Sequence, residues 1–369
     1  MKRTLTSFKT FTLIKMSMAL LVYSGAARAA EPAPAATPSP TATSVSAAAP
    51  ASPAFVEVGK GKMKFNGLLQ SWFYSDSTTP AVSNNFRIRR AELKLSGAIT
   101  ESTRWTVMID PAKSLSSGPV SSTNDNKVLQ DLNLGFLLSD EVELVIGQMK
   151  ILTVQESLDS SSELTLPERS LISRTLGDQR QMGLQVFYKP KPWRFGWMLS
   201  NGGRPNTEDT NTAKDVSFRA DVTFLDKLNV GGFLAAKDFR FGQDARYGAN
   251  VRWNGDAEMI RFEFSAADDT TNDVKVSSYG YAGEAGYTVS GLMQPVFRYE
   301  RYTPNADGGL SGTALWFGVN CFLSKHNVKL QLAYAHLYDM TTSSGTPRMA
   351  TTALAEPGRL IILTAQMAI

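Results

Sequence analysis

Basic side chains able to hold an oxyanion recur along this chain in an ordered way. Arg89 and Arg90 are adjacent, Lys94 follows four residues on, and Lys150, Arg169, Arg174 and Arg180 fall within one stretch of thirty-one residues. Arg219, Arg252, Arg261, Arg298 and Lys329 each sit at an alternate position of a run rich in apolar residues. A planar guanidinium meets two oxygens of a phosphate or carboxylate at once. Fixed positive charge in a narrow passage draws an anion and, when shared over several weak sites, lets it leave again. The same alternating positions also carry Glu92, Asp131, Glu263, Glu284 and Glu300. A second reading therefore stays open, in which Arg and Glu pair across neighbouring segments and stiffen a hydrated wall.

Other chemistry finds little support. His326 and His336 are the only histidines, and neither has a serine in a nucleophile motif beside it. No His/Cys/Asp spacing suits a metal, and Cys321, the single cysteine, can form no internal disulfide. The expectation is no enzyme and no cofactor.

What must position the basic groups is a set of short strands. From Met63 onward no segment sustains a 3.6-residue apolar stripe; aromatic and β-branched runs alternate with period two instead. Sixteen are expected: 63–74, 86–99, 104–110, 129–138, 142–150, 180–188, 193–200, 215–224, 228–237, 246–253, 259–266, 277–287, 293–302, 313–322, 328–338 and 360–368. Ala91, Leu93, Leu95 and Ile99 share one face of the second run, opposite Arg90, Glu92, Lys94 and Ser96. Val216, Phe218, Ala220 and Val222 oppose Ser217, Arg219 and Asp221 in the same manner. Connections alternate long and short throughout, which tight turns at one end and long loops at the other would explain. The fold class is all-β: a transmembrane antiparallel β-barrel of sixteen strands. Trp72, Phe73, Tyr74, Tyr188, Trp193, Trp253, Tyr302 and Tyr338 fall near strand ends, where interfacial aromatic girdles belong.

Residues 151–179 form the longest connection within the run of strands up to 338 and an unusual one for a compact domain. Among its charges stand Leu164, Leu166, Pro167, Leu171, Ile172 and Leu176, anchors that a solvated loop does not need. The reading is a constriction loop folded into the barrel.

The remainder of the chain concerns targeting. Residues 1–29 have a basic start, an apolar core too short to span a bilayer, and Ala27-Arg28-Ala29 as a cleavage site, so a signal peptide is expected. Residues 30–55, almost all Ala, Pro, Ser and Thr, read as an extended periplasmic linker, and 56–369 as the barrel. The signal accounts for the positive balance. Without Lys2, Arg3, Lys9, Lys15 and Arg28, the 38 basic residues fall to 33 against 34 acidic ones. The formal charge of +4 then says nothing for nucleic acid, and any basic function depends on where charges sit.

In order and spacing, several motifs resemble the phosphate-selective porin O and P family. They are Phe86-Arg87-Ile88-Arg89-Arg90-Ala91 leading to Gly97, Val145-Ile146-Gly147-Gln148-Met149-Lys150 with Glu156 following, and Pro167-Glu168-Arg169-Ser170-Leu171. Arg180-Gln181-Met182-Gly183-Leu184, Ser200-Asn201-Gly202, Gln294-Pro295-Val296-Phe297-Arg298-Tyr299 and Leu363-Thr364-Ala365-Gln366 complete the likeness, which spans nearly all of 63–369. The resemblance implies a homotrimeric outer-membrane porin of sixteen strands, its third outward loop folded inward. Small anions such as phosphate would pass along Arg89, Arg90, Lys94, Lys150, Arg169, Arg174, Arg180, Arg219, Arg261 and Arg298, with lipid outside. A non-selective diffusion porin and a surface receptor or adhesin barrel are the alternatives. Two positions depart from the pattern: Glu92, where members often carry a basic residue, and Ile369, where many such barrels end in Phe.

Overall fold

The computed structural model describes residues 56–58, 61–77, 84–115, 128–177, 179–203, 205–209, 211–237, 244–271, 274–306, 310–338 and 358–369. The targeting segment 1–29, the linker 30–55 and parts of the long loops lie outside the described residues.

Period-two alternation becomes strand wherever it was expected, with ends shifted by a few residues at most of the longer runs. A short β1 (Val56–Val58) precedes β2 (Gly61–Asp76), β3 (Asn84–Ala98), β4 (Thr103–Ile109), β5 (Leu129–Leu137) and β6 (Val142–Lys150). Then follow β7 (Arg180–Tyr188), β8 (Trp193–Ser200), β9 (Asp215–Phe224), β10 (Leu228–Lys237) and β11 (Asp244–Asn254). The series ends with β12 (Glu258–Thr271), β13 (Val274–Tyr287), β14 (Met293–Asn305), β15 (Leu310–Ser324), β16 (Val328–Tyr338) and β17 (Gly358–Ala368). Each of β2 to β17 pairs antiparallel with its sequence neighbour, and β17 pairs back onto β2 from Leu360↔Asp76 to Ala368↔Leu68. The sheet is thus a closed barrel of sixteen strands, with every ladder edge satisfied inside the sheet. β1 lies on the same edge of β2 just beyond the chain's last residue, pairing Val56 with Met63. Tight turns close the other end of each hairpin; Leu225 and Asp226, at φ 51° and 55°, supply the left-handed pair of one of them.

Register assigns the two faces. Leu93, Leu95, Phe218, Val222, Phe262 and Phe264 point out of the barrel, and Arg90, Lys94, Arg219, Glu263, Glu284 and Arg298 point in. Cys321 sits outward beside Val319 and Leu330. A Leu93→Arg change near mid-membrane is expected to cost about 2–4 kcal/mol of barrel stability. Urea unfolding in lipid vesicles checks it; a cost no greater than that of Lys94→Leu would reverse the face assignment.

One correction concerns the aromatic girdle. Phe73, Tyr188, Trp193, Trp253 and Tyr338 face outward as expected, but Trp72, Tyr74 and Tyr302 face inward. Trp72 is only 3% exposed, and its surroundings explain why. With Trp316, Ala333, Ala335, Leu337 and Ile362 it forms an apolar platform on the inner wall, on which Leu166 and Leu171 of the 151–179 loop are seated. Proximity to a strand end does not decide which face a ring takes; parity within the strand does.

The loop enters the barrel directly after β6. Its backbone makes one short helical turn, α1 (Gln155–Leu158), a 3-10 turn at Ser161–Glu163 and a π-helical turn at Ser173–Gly177. Val154, Ile172 and Leu176 pack with Phe233, Ala267 and Ala282, while Ile151 and Leu152 pack with Met149, Phe187 and Met198. Two glycines of the wall make room for it. A Cβ on Gly318 would lie 2.6 Å from Leu166, and one on Gly280 would lie 2.5 Å from Ile172. Each buried Leu or Ile contributes about 1.5–3 kcal/mol relative to an exposed one, so these anchors hold the loop against the wall.

Candidate functional site

The inner wall and the loop together hold most of the basic residues singled out from sequence. Arg89 and Arg90 are neighbours in the chain, yet both point inward. A β-bulge makes this possible: Gln70 pairs with Arg90 and Ser71 with Ile88, leaving Arg89 as the extra residue. Arg89 then grips Glu168 of the loop bidentately, from Nε to Oε2 at 2.9 Å and from Nη2 to Oε1 at 3.0 Å. Arg90 Nη2 is 3.5 Å from the same carboxylate, while its Nη1 donates to Gln70 Oε1 at 2.6 Å. Burial pushes the Glu168 carboxyl up, but Arg89, Arg90 and Arg174 outweigh it and hold the group well below the usual carboxylate range. Through these ion pairs Glu168 fastens the loop to β3.

Arg87 and Arg174 complete this group. Both feel the Glu168 charge, and neither has an ion pair with a carboxylate among the described residues. The guanidinium carbons of Arg87 and Arg89 lie 5.9 and 5.4 Å from the centre of the Trp72 ring. Arg87 belongs to the motif that carried the family resemblance, but strict alternation from Arg90 would have turned it outward; only the bulge brings it in.

Other basic groups bind the loop's own backbone. Lys150 Nζ donates to the carbonyls of Ser157 and Asp159 at 2.7 and 3.0 Å. Arg169 donates to the carbonyls of Glu156 and Asp159, at 3.1 and 2.9 Å. Lys329, wholly buried, donates to Ser162 and Leu164 carbonyls at 2.9 and 2.6 Å. Asn320 and Gln331 hold the Thr165 carbonyl, and Gln366 that of Ser162. These contacts satisfy carbonyls that the loop's short helical turns and irregular stretches leave open.

The wall from β9 to β14 is charge-balanced instead. Arg219 forms a two-point pair with Asp221 at 2.9 and 2.6 Å and donates to the Thr153 carbonyl. Arg252 meets Asp159 of the loop at 2.6 Å, and Glu263 accepts from the Gln155 and Glu156 amides. Arg298 lies 3.3 Å from Glu156 and 3.5 Å from Glu284, and Arg261 lies 3.9 Å from Glu284. A cleft of about 20 Å³ remains among Glu156, Arg252, Arg261, Glu263, Glu284 and Arg298, room for a water or two. Arg180 pairs with Asp131 at 2.7 Å.

Lys94, singled out from sequence, belongs to a basic patch whose other members were not. On β2–β4, between the loop and the tight-turn end, Lys62, Lys64, Lys94 and Arg104 share the inward face. Lys62 and Arg104 both pair with Ala98, and Lys64 pairs with Ser96, two residues from Lys94. Lys62, Lys94 and Arg104 are exposed, and none of the four forms an ion pair among the described residues. Their common parity with Arg90 was the available signal; their spread over three strands hid it.

A closed sixteen-stranded barrel with polar inner wall, apolar outer wall and an inserted loop defines an outer-membrane porin, a channel through the outer membrane of a Gram-negative envelope. Residues 70–246 match the family model described as phosphate-selective porin O and P. Among solved structures, OmpT of Vibrio cholerae in its trimer form superposes with a TM-score of 0.61 at 13% identity, over 84% of this chain and 100% of that one. An anion-selective porin from Comamonas acidovorans gives 0.60 at 12% identity, over 84% and 100%. Salmonella typhi OmpF gives 0.61 at 12%, over 86% and 100%. At these identities the likeness is one of fold. No curated protein matches the chain.

Proposed function

We propose that this porin passes small anions, inorganic phosphate among them, in preference to cations, that it works as a homotrimer, and that it catalyses no reaction. The observation that supports anion preference is an excess of cationic groups along one wall. Arg87, Arg89, Arg90 and Arg174 gather around a single carboxylate, Glu168, at the loop. Below them Lys62, Lys64, Lys94 and Arg104 carry no ion pair among the described residues. Strands β2 to β4 span about 10 Å at the usual interstrand spacing, close to the Debye length of about 8 Å at physiological salt, so these fields overlap across the wall. An anion leaving the loop toward the tight-turn end meets more cationic than acidic side chains on this wall. Glu92, 4.0 Å from Arg90, subtracts from this field, so the preference is for anions as a class. The trimer reading is supported by the Vibrio cholerae relative, whose structure is of a trimer form.

The charge-balanced cleft on β11–β14 favours the second reading, a non-selective diffusion porin. Reversal potentials in planar bilayers under a potassium chloride gradient separate the two. The anion reading expects chloride to carry more current than potassium. It also expects Lys64→Gln with Lys94→Gln to move the reversal potential toward cations and to weaken phosphate block of chloride current. A wild-type channel that prefers potassium would leave only the diffusion porin.

A further inference from the structure

The outer wall is uneven in a way the channel does not explain. On β14–β17 its outward face runs from apolar to basic along the barrel axis. Pro295, Val319, Leu332 and Leu363 lie in one row across the four strands, and Phe297, Phe317, Tyr334 and Ile361 in the next toward the long loops. The following row reads Tyr299, Leu315, His336 and Arg359, and the one above it places Arg301 beside Tyr281 of β13, with Thr313 and Tyr338 on its other side. His336 and Tyr338 rings lie 4.3 Å apart, and the Tyr334 hydroxyl is 3.3 Å from His336 Nδ1. Arg301 and Arg359 are exposed. Arg301 donates to Ser311 Oγ at 2.9 Å and is hydrogen-bonded to Tyr281.

No acidic residue shares this outward face among the described residues of β13–β17; Glu284 and Glu300 both point inward. Lys275, at the loop end of β13, is paired with Asp268 of β12 at 3.1 Å, so Arg301 and Arg359 are the outward cations without a carboxylate partner there. On the β6–β7 side the basic residues at the same end, Lys150 and Arg180, spend their donors on loop carbonyls and Asp131. An aromatic band marks the depth at which a membrane's apolar core gives way to headgroups. An uncompensated arginine at that depth, on a face turned to lipid, has an anionic headgroup as its complement. Tyrosine hydroxyls and an imidazole beside it add hydrogen-bonding groups suited to a sugar.

We infer that the outward face of β13–β17 at the long-loop end binds a phosphate-bearing lipid headgroup of the outer leaflet through Arg301 and Arg359. Strands β14 and β17 are three interstrand spacings apart, about 14 Å, which fits a disaccharide headgroup with a phosphate at each end. The inference depends on the face assignment alone and stands or falls separately from ion selectivity. It also leaves the remaining outer wall for contact between copies in a trimer.

Native mass spectrometry of the detergent-purified full-length protein tests this, with bisphosphorylated lipid A and its fully dephosphorylated form as probes. The wild-type protein is expected to retain the bisphosphorylated lipid at least tenfold better. Arg301→Gln with Arg359→Gln should abolish that preference while leaving single-channel conductance unchanged. Equal retention of the two lipids by the wild-type protein would overturn the inference, and needs no variant to fold. So would a double variant that keeps the wild-type preference. If Thr313→Cys instead gives an intermolecular disulfide within the assembled protein, in a Cys321→Ser background, a second copy occupies the face and the lipid reading fails.

Discussion

Deleting Ser160–Ser170 is expected to raise single-channel conductance severalfold, the largest change that any single alteration should produce in this channel. The segment carries Leu164, Leu166, Glu168 and Arg169, all at most 3% exposed and all packed or bonded inside the barrel. Its backbone is held by Lys329, Asn320, Gln331 and Gln366 from one wall, and its side chains by Arg89 and Arg90 from another. Ion flow is limited by the narrowest section, and a segment seated inside the barrel is expected to set it. The wall donors would turn to water once the loop is gone, because the lumen floods as the obstruction leaves. Planar-bilayer recordings give the readout, with heat-resistant migration of the folded barrel on a gel as the check on assembly. Unchanged conductance from a correctly assembled deletion protein would remove residues 151–179 from the constriction.

Replacing Glu168 by Gln should have the next largest effect, and on two properties at once. Removing one partner of a buried charge pair costs about 3–5 kcal/mol, since the other charge stays buried without compensation. Here two guanidinium groups, Arg89 and Arg90, lose their shared carboxylate, and Arg87 and Arg174 stand close enough to repel them. The loop tip is then expected to leave β3 part of the time, which shows as open-channel current noise absent from the wild-type trace. The local charge also becomes more positive, so the reversal potential should move further toward anions, by an amount that shrinks as salt is raised. Glu92→Gln is the useful comparison, because Glu92 is more exposed and touches Arg90 only at 4.0 Å. If Glu168→Gln matches the wild type in noise and selectivity, the carboxylate neither latches the loop nor tempers its field.

The strands were legible to an unusual degree, and the reason is the solvent. In a bilayer each strand must turn one face to hydrocarbon and, in a porin, the other to water, so parity appears as clean alternation along Ala91–Ile99 or Val216–Phe224. The inserted loop was legible for a related reason: Leu166, Leu171 and Ile172 in a polar stretch must be buried somewhere, and they are. The basic residues were legible as a set but not by role. Lys150, Arg169 and Arg180 share a composition signature with Arg87 and Arg174, yet the first three are engaged by carbonyls or a carboxylate.

By itself the sequence determined the number of barrel strands, their order, the ends that carry long loops and the two faces of nearly every strand, because period-two patterning is local and a one-residue slip would turn every lipid-facing apolar side chain into the lumen. Tertiary structure alone decided three things. It turned Arg87, Arg89 and Arg90 together into the lumen through one bulged residue that breaks the alternation. It set Trp72 inward as a seat for Leu166 and Leu171. It gathered Lys62, Lys64, Lys94 and Arg104 from three strands into one patch, while closing most other arginines onto carboxylates. The physical reason is common to all three: whether a charge is free or paired depends on groups brought within a few ångströms by register and closure, and neither distance is encoded in the spacing of residues along the chain.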